Sequence, residues 1–376
     1  MKYSQGLSKK MSSITKYFAA AVIFSTIVTM PSAFLQNRAL AATSVSRTYK
    51  PRTTPSHSIP TSPGTLITSG PSRKPCIYPY TPNGNLQPGL HNAEAGTKTT
   101  TSCVVAYLSG ATTWAQWESP WITQPGYGYT TWVAAEPLSR QLILEVDLIP
   151  DSLENQSNPL GWEQSCAAGQ FDTYAQQLGT SLVAAGLENS VIRLGAEMNG
   201  PWEADFMGTT TVEQNLWATC FANEVTAMRQ AAGESFLFDW NPNACTENVP
   251  YTNYYPGNVY VDILGLDLYD GKCATPTTPV SWNQLANEPA GLTSFEAFAK
   301  TRGKPMSFPE WGLLQSPNGD DPAYINGIGS TFATGDFAFE SYFDAGDGGT
   351  LQVGPTTPLS LVRFQKWFGS ISHSSP

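Results

Sequence analysis

Apolar and polar positions alternate with a period of two along several short stretches of this chain. Between Val191 and Asn199, the residues Val191, Arg193, Gly195, Glu197 and Asn199 fall on one side. Ile192, Leu194, Ala196 and Met198 fall on the other. Comparable runs predict strands over Cys103–Gly110, Tyr129–Ala134, Leu142–Pro150, Ser235–Trp240, Val261–Asp270, Lys304–Gly312 and Phe337–Asp344. Between them the period lengthens. Phe171, Tyr174, Leu178 and Leu182 predict a helix over Phe171–Leu187, and a second spans Thr210–Gly233, where Thr210 and Glu213 can form a capping box and Leu216, Cys220 and Val225 share a stripe. A further helix ends at Gly303, and Pro358–Phe368 forms the last. Strand and helix alternate about eight times, which predicts a (β/α)8 barrel, an α/β fold with a single domain.

A barrel strand packs its outer face on helices and turns its inner face toward a mouth at the strand's C-terminal end. On that expectation Leu194 and Met198 point outward, with Arg193 and Glu197 inward. Leu264, Leu266 and Leu268 face helices while Asp267 and Tyr269 face the interior. Glu197 alone could do no more than pair with Arg193. A second carboxylate changes the picture: the run "FPEWG" sets Glu310 at a strand end just before Gly312. Two glutamates at two strand ends suit glycoside hydrolysis, where one carboxylic acid protonates the leaving oxygen and the other attacks the anomeric carbon or activates water. Trp202, Phe206, Trp240, Tyr269 and Trp311 lie nearby in sequence and can stack on sugar rings. For any single one of them core packing is the simpler role, and Trp202, beyond a Gly-Pro turn, is the best exception. Glu145, Asp147, Glu203 and Asp205 are competing acids without so defined a strand-end setting.

The start of the chain breaks both patterns. Lys2, Lys9, Lys10 and Lys16 precede an apolar run from Tyr17 to Met30, and the segment closes on "ALA", so residues 1–41 read as a secretory signal peptide cleaved after Ala41. Residues 42–75 are rich in Ser, Thr and Pro and carry Arg47, Lys50, Arg52, Arg73 and Lys74 without an acid. They read as a disordered basic linker, a solvated spacer that can also touch an anionic cell surface. The catalytic domain is then 76–376, secreted to the extracellular side and, through the linker, a candidate for association with the cell wall.

Charge partitions at the same boundary. Half of the 20 Lys and Arg lie before Cys76 and none of the 30 acids does, so the domain carries a net charge near −20, which repels nucleic acid. All 6 cysteines lie in the domain, as expected for disulfides in an oxidising compartment. Neighbour pairing gives Cys76–Cys103, Cys166–Cys220 and Cys245–Cys273. The 3 histidines, His57, His91 and His373, sit away from the strand motifs, so a Ser-His-Asp triad or a multi-histidine metal site finds no support. No cofactor, metal or membrane span after signal cleavage is expected, and the domain is expected to be a monomer.

The runs "RLGAEMNGPW", "DWNPN", "LGLDLYD" and "FPEWG" together resemble glycoside hydrolase family 26 and its relatives in the retaining (β/α)8 clan, over roughly Val104 to Asp344. The resemblance implies that Glu197 is the acid/base and Glu310 the nucleophile. It makes Arg193, Asn199, Trp202, Trp240, Asn241, Asp267, Tyr269 and Trp311 candidate substrate-binding or supporting residues. It implies an endo-acting β-1,4-mannanase first, and a β-1,3/1,4-glucanase or xylanase of the same clan as the alternative. A non-catalytic carbohydrate-binding or cell-surface protein is the alternative of another class. One position departs from the pattern: Ala196 stands where family 26 has histidine and the wider clan asparagine.

Overall fold

The computed structural model describes residues 76–77, 103–108, 111–120, 123, 129–153, 161–244, 249–271, 281–313, 319–335, 337–343 and 357–368. The signal and linker segments, Cys245, Cys273 and the three histidines lie outside the described residues. One parallel sheet organises the rest. Its strands are β1 (Cys76–Ile77), β2 (Cys103–Tyr107), β3 (Gln141–Val146), β4 (Val191–Leu194), β5 (Leu237–Trp240), β6 (Ile263–Gly265), β7 (Leu268–Tyr269), β8 (Met306–Gly312) and β9 (Phe337–Tyr342). The hydrogen-bonded order is β1-β9-β8-β6-β5-β4-β3-β2, with β7 pairing on β8 just beyond β6. β6 and β7 therefore share one place, and β1 and β2 are neighbours at the sheet's two ends. The result is eight positions in a nearly closed (β/α)8 barrel, as the alternation predicts.

Around the sheet lie α1 (Trp114–Trp117), α2 (Tyr129–Ala135), α3 (Gly161–Ala167), α4 (Asp172–Ala184), α5 (Thr211–Met228), α6 (Trp282–Asn287), α7 (Leu292–Arg302), α8 (Pro322–Thr334) and α9 (Pro358–Phe368). Among the described residues no helix is long and apolar enough to cross a membrane. α5 opens with the expected capping box between Thr210 and Glu213. Its buried stripe runs through Trp217, Cys220, Phe221, Glu224, Val225 and Met228, while Leu216 sits at its edge.

Two expectations fail. The strand expected at Tyr129–Ala134 is α2. Its buried residues are Tyr129, Trp132 and Val133, which is helical spacing, and the aromatic and β-branched content concealed that period. The strand that fills the vacated place is β1, only two residues long and so without any alternation to mark it. The pleat expected from Val191 to Asn199 also stops early, at Leu194. Gly195 (φ 56°) and Glu197 (φ 51°) take left-handed backbone, which no strand accommodates.

The barrel sorts its residues by parity. Ile192, Leu194, Leu264, Leu266, Leu268, Phe238 and Trp240 pack outward in the large core between sheet and helices. Val105, Ile143, Val191, Leu237, Ile263, Ala338 and Phe339 form a separate apolar plug inside. One pleat higher the interior turns polar: Glu145, Arg193 and Asp239 are direct neighbours across β3, β4 and β5. Apolar residues fill the barrel's floor, so charge collects at its mouth.

Cys166 and Cys220 are joined, tying α3 to α5 as neighbour pairing expects. Cys103 is also in a disulfide.

Candidate active site

Glu197 is presented by a turn rather than by a strand end. Gly195 donates its N–H to Val146 O at 2.7 Å, Glu197 donates to Asn241 O at 2.7 Å, and Gly200 donates to Glu197 O at 2.7 Å. A side chain at Gly195 would collide with Trp217 and would also strain the positive φ. Glu197 itself is the one non-glycine residue at positive φ among the described residues, a conformation that costs about 1 kcal/mol or more. The turn aims its carboxylate inward, with the residue 4 % exposed. Asn243 Nδ2 donates to Oε1 and Trp202 Nε1 to Oε2, each at 2.6 Å. Trp202 can approach because Gly200 has no side chain: a methyl there would overlap the indole.

Glu310 lies within β8 and is 3 % exposed. Tyr269 OH donates to its Oε2 at 2.7 Å, and Arg193 Nη1 to its Oε1 at 3.2 Å. Its backbone N–H donates to Asp267 Oδ1 at 2.9 Å. Burial, then the charges of Glu310, Asp267 and Glu197, hold the Tyr269 phenol well above its ordinary range, so it remains a donor at neutral pH.

Arg193 is the hub. It is fully buried and donates to Glu145 Oε2 at 2.5 Å, to Asp267 Oδ2 at 2.9 Å and to Asn241 Oδ1 at 2.5 and 2.8 Å, besides Glu310. One guanidinium therefore faces three carboxylates, which makes each removal from water tolerable. Burial pushes Asp267 well above the usual carboxylate range; Arg193 opposes this, and Glu310, Glu197 and Glu145 reinforce it. Deeper in the barrel Asp239 is pushed up to about 6 by burial, against the hydrogen bond from Ser307 Oγ at 2.7 Å and the charge of Arg193.

Glu197, Asp267 and Glu310 each place an oxygen within 4.8 Å of the others. Such a trio could share a cation, yet Arg193 already supplies positive charge to Asp267 and Glu310. Cys166, Cys220 and Glu224 form a second close group, in which the two sulfurs are spent on each other.

The structure thus gathers Glu197, Glu310, Arg193, Asn241, Asp267, Tyr269 and Trp202 at one site. Asn199 sits one layer behind, bonded to the backbone of Asn243 rather than turned to the cleft. Trp240 and Trp311 are elsewhere. Trp240 is fully buried outside the sheet against Tyr254, Tyr255 and Phe298, and Trp311 against Tyr342, Phe364 and Phe368. Neither can stack on a sugar. Among the competing acids, Glu145 belongs to the site as a partner of Arg193. Asp205 is structural, accepting the Leu148 N–H at 2.8 Å. Asn243 was not anticipated; the signal was its place as the second asparagine of the Asp-Trp-Asn-Pro-Asn run.

Residues 167–306 match the model of glycosyl hydrolase family 26, a stretch that contains Glu197 and stops just short of Glu310. No curated protein sequence matches the chain. Among solved structures, it resembles a mannanase from Bacillus subtilis at TM-score 0.52 and 14 % identity, covering 81 % of this chain and 89 % of that one. The catalytic domain of a family 26 endo-β-1,4-mannanase from Bacillus sp. JAMB-750 aligns at TM-score 0.52 and 19 % identity, over 81 % and 88 %. A family 26 β-mannanase from Bacteroides ovatus aligns at TM-score 0.50 and 14 % identity, over 80 % and 90 %. At these identities the likeness is one of fold.

Proposed function

We propose that this family 26-like glycoside hydrolase is a secreted endo-β-1,4-mannanase that works by double displacement, with Glu310 as nucleophile and Glu197 as acid/base. One observation carries the stereochemical part. The facing oxygens of Glu197 and Glu310 come within 4.8 Å. A retaining pair stands about 5–5.5 Å apart and an inverting pair about 6.5–9.5 Å, so this close approach of the two carboxylates supports the retaining reading.

In the first step Glu310 attacks the anomeric carbon while Glu197 gives its proton to the departing glycosidic oxygen. The C–O bond to the leaving sugar breaks and a bond to Glu310 forms. In the second step Glu197, now a carboxylate, takes a proton from water. The water oxygen then displaces Glu310 with its electron pair. Arg193 and Tyr269 hold the nucleophile's two oxygens. Both donors must weaken their grip as its charge passes into the new bond, and both recover it when the glycosyl group leaves.

Mannan is placed first because the structural neighbours above are named mannanases. The lysine-rich leader of the sequence and the Cys166–Cys220 disulfide support secretion. The test is incubation of the purified domain with mannan, mixed-linkage glucan, laminarin and xylan, with products read by mass spectrometry and anomeric configuration by NMR. Short mannan oligosaccharides of retained configuration are expected. Cleavage confined to a glucan or xylan would move the substrate, inverted products would overturn the mechanism, and no cleavage at all would overturn the enzymatic reading.

A further inference from the structure

The grip on Glu197 is lopsided. Oε1 is held by Asn243 Nδ2 at 2.6 Å, and Asn243 is only 4 % exposed. Asn243 is itself held at both backbone polar groups by one side chain: Asn199 Nδ2 donates to Asn243 O, and Asn243 N donates to Asn199 Oδ1, each at 2.8 Å. Asn199 is 7 % exposed. The turn that carries Glu197 is thereby fastened to the loop after β5 by two reciprocal bonds, next to the one from Glu197 N to Asn241 O. Oε2 is contacted instead by Trp202, a half-buried side chain on the open side of the turn.

We propose that Asn199 and Asn243 are a positioning pair that holds Glu197 by Oε1 alone and so dedicates Oε2 to proton exchange with the glycosidic oxygen; this rests on the acid/base reading of Glu197. An amide NH2 only donates. Asn243 can therefore bond Oε1 when Glu197 is a carboxylate, and equally when Oε1 is the carbonyl oxygen of the acid. It cannot bond Oε1 if that oxygen carries a proton pointing at it. The indole N–H of Trp202 likewise only donates, so one of the two bonds must yield when Glu197 takes up a proton. Half-buried Trp202 is the one free to give way, which directs the proton to Oε2. In the first step the Oε2–H bond breaks, its proton goes to the leaving oxygen and its electron pair stays on Oε2; in the second step Oε2 accepts a proton from water. Trp202 is the partner that can shift to admit the substrate. Asn243, buried and doubly fastened, is the one that stays.

A positioning pair differs from a merely structural one in how its loss depends on the leaving group. Asn243→Asp keeps the volume but replaces the donor with an acceptor, and Asn199→Ala loosens the loop with Asn243 left in place. Each is assayed on the polysaccharide, whose alcohol leaving group needs a proton, and on a 2,4-dinitrophenyl β-glycoside, whose leaving group does not. We expect Asn243→Asp to lose on the order of 100-fold in kcat/KM on the polysaccharide, the scale of a misplaced reacting group, while the first step on the aryl substrate changes only a few-fold. Asn199→Ala shows the same asymmetry, more weakly. Crystal structures of both variants should show the Glu197 carboxyl group turned away from its place opposite Glu310. Equal losses on both substrates, or unchanged activity with the carboxyl group in place, would overturn the pair. Should the parent cleave no β-glycoside, the acid/base reading fails, and the crystal structures alone decide whether Asn199 and Asn243 hold Glu197.

Discussion

Arg193 Nη1 reaches Glu310 Oε1 across the barrel at 3.2 Å, although 117 residues separate them in the chain. The contact exists because β4 and β8, separated by β5 and β6, curve around one nearly closed barrel and both turn these side chains inward. It links the two halves of the site: Arg193 is two strand positions before the turn that carries Glu197.

Removing Arg193 should therefore affect folding and chemistry together. Arg193→Met leaves Glu145, Asp267 and Glu310 buried without their cation, and breaking a buried ion pair from one side costs roughly 3–5 kcal/mol. Urea denaturation should show a loss of that size, and turnover should fall below detection. Arg193→Lys should also be severely impaired, since an ammonium cannot span Glu145, Asn241, Asp267 and Glu310 together. A lysine variant with parental stability and rate would refute the hub.

Rescue by azide separates the two glutamates. Glu310→Ala should lose turnover altogether, and azide should yield a glycosyl azide of inverted anomeric configuration. Glu197→Ala should still be glycosylated by an activated aryl glycoside, and azide should then speed release with configuration retained. Near-parental activity in both variants would transfer the chemistry to other acids, Glu145 first.

Asp239 predicts a pH dependence of stability. Its folded pKa is raised to about 6 from an ordinary value of 3.8, so the native state binds this proton more tightly than the unfolded chain does. Its ionisation therefore costs native stability as pH rises from about 4 to about 6, and the cost is constant above. Asp239→Asn should gain stability relative to the parent across that window, on the order of 2–3 kcal/mol, then hold level. Denaturant midpoints at a series of pH values would decide; parallel curves for parent and variant would exclude Asp239 as the source.

Gly200→Ala tests the seat of Trp202. The added methyl overlaps the indole, so Trp202 must swing out and release Glu197 Oε2. The polysaccharide rate should drop about tenfold or more, in keeping with the sensitivity of such sites to displacement. The indole N–H resonance of Trp202 should lose its hydrogen-bonded shift. An unmoved resonance would mean that the notch does not seat the ring.

Legibility differed residue by residue. Asp267 and Tyr269 follow an unbroken Leu-x-Leu-x-Leu rhythm, so parity turned them inward. Glu310 was legible only as an acid near a strand end, because register shifts between Met306 and Trp311 break the alternation of β8. Trp240 and Trp311, expected at the site, are each next to an inward acid, Asp239 or Glu310, and by parity must point out. Their aromatic character drew them into the cleft only by proximity in sequence. Glu197 was legible as an inward carboxylate but not as a left-handed residue, because backbone sign leaves no trace in an apolar pattern. Asn243 was hidden for a related reason. Its partners, Asn199 and Glu197, belong to a different loop, and contacts between loops follow from closure of the barrel rather than from any local period. β1 was unreadable at two residues.

The positive φ of Glu197 sets two selective interests against each other at a single codon. For folding alone, glycine is the natural occupant: it would relax the backbone and remove a carboxylate from a crowded acidic interior. For hydrolysis, only a carboxyl group at that point can lend and recover a proton. A lineage released from acting on sugars would have an immediate, stability-improving route to inactivity here. On the proposed mechanism, the glutamate in this chain keeps a backbone cost for the sake of its proton.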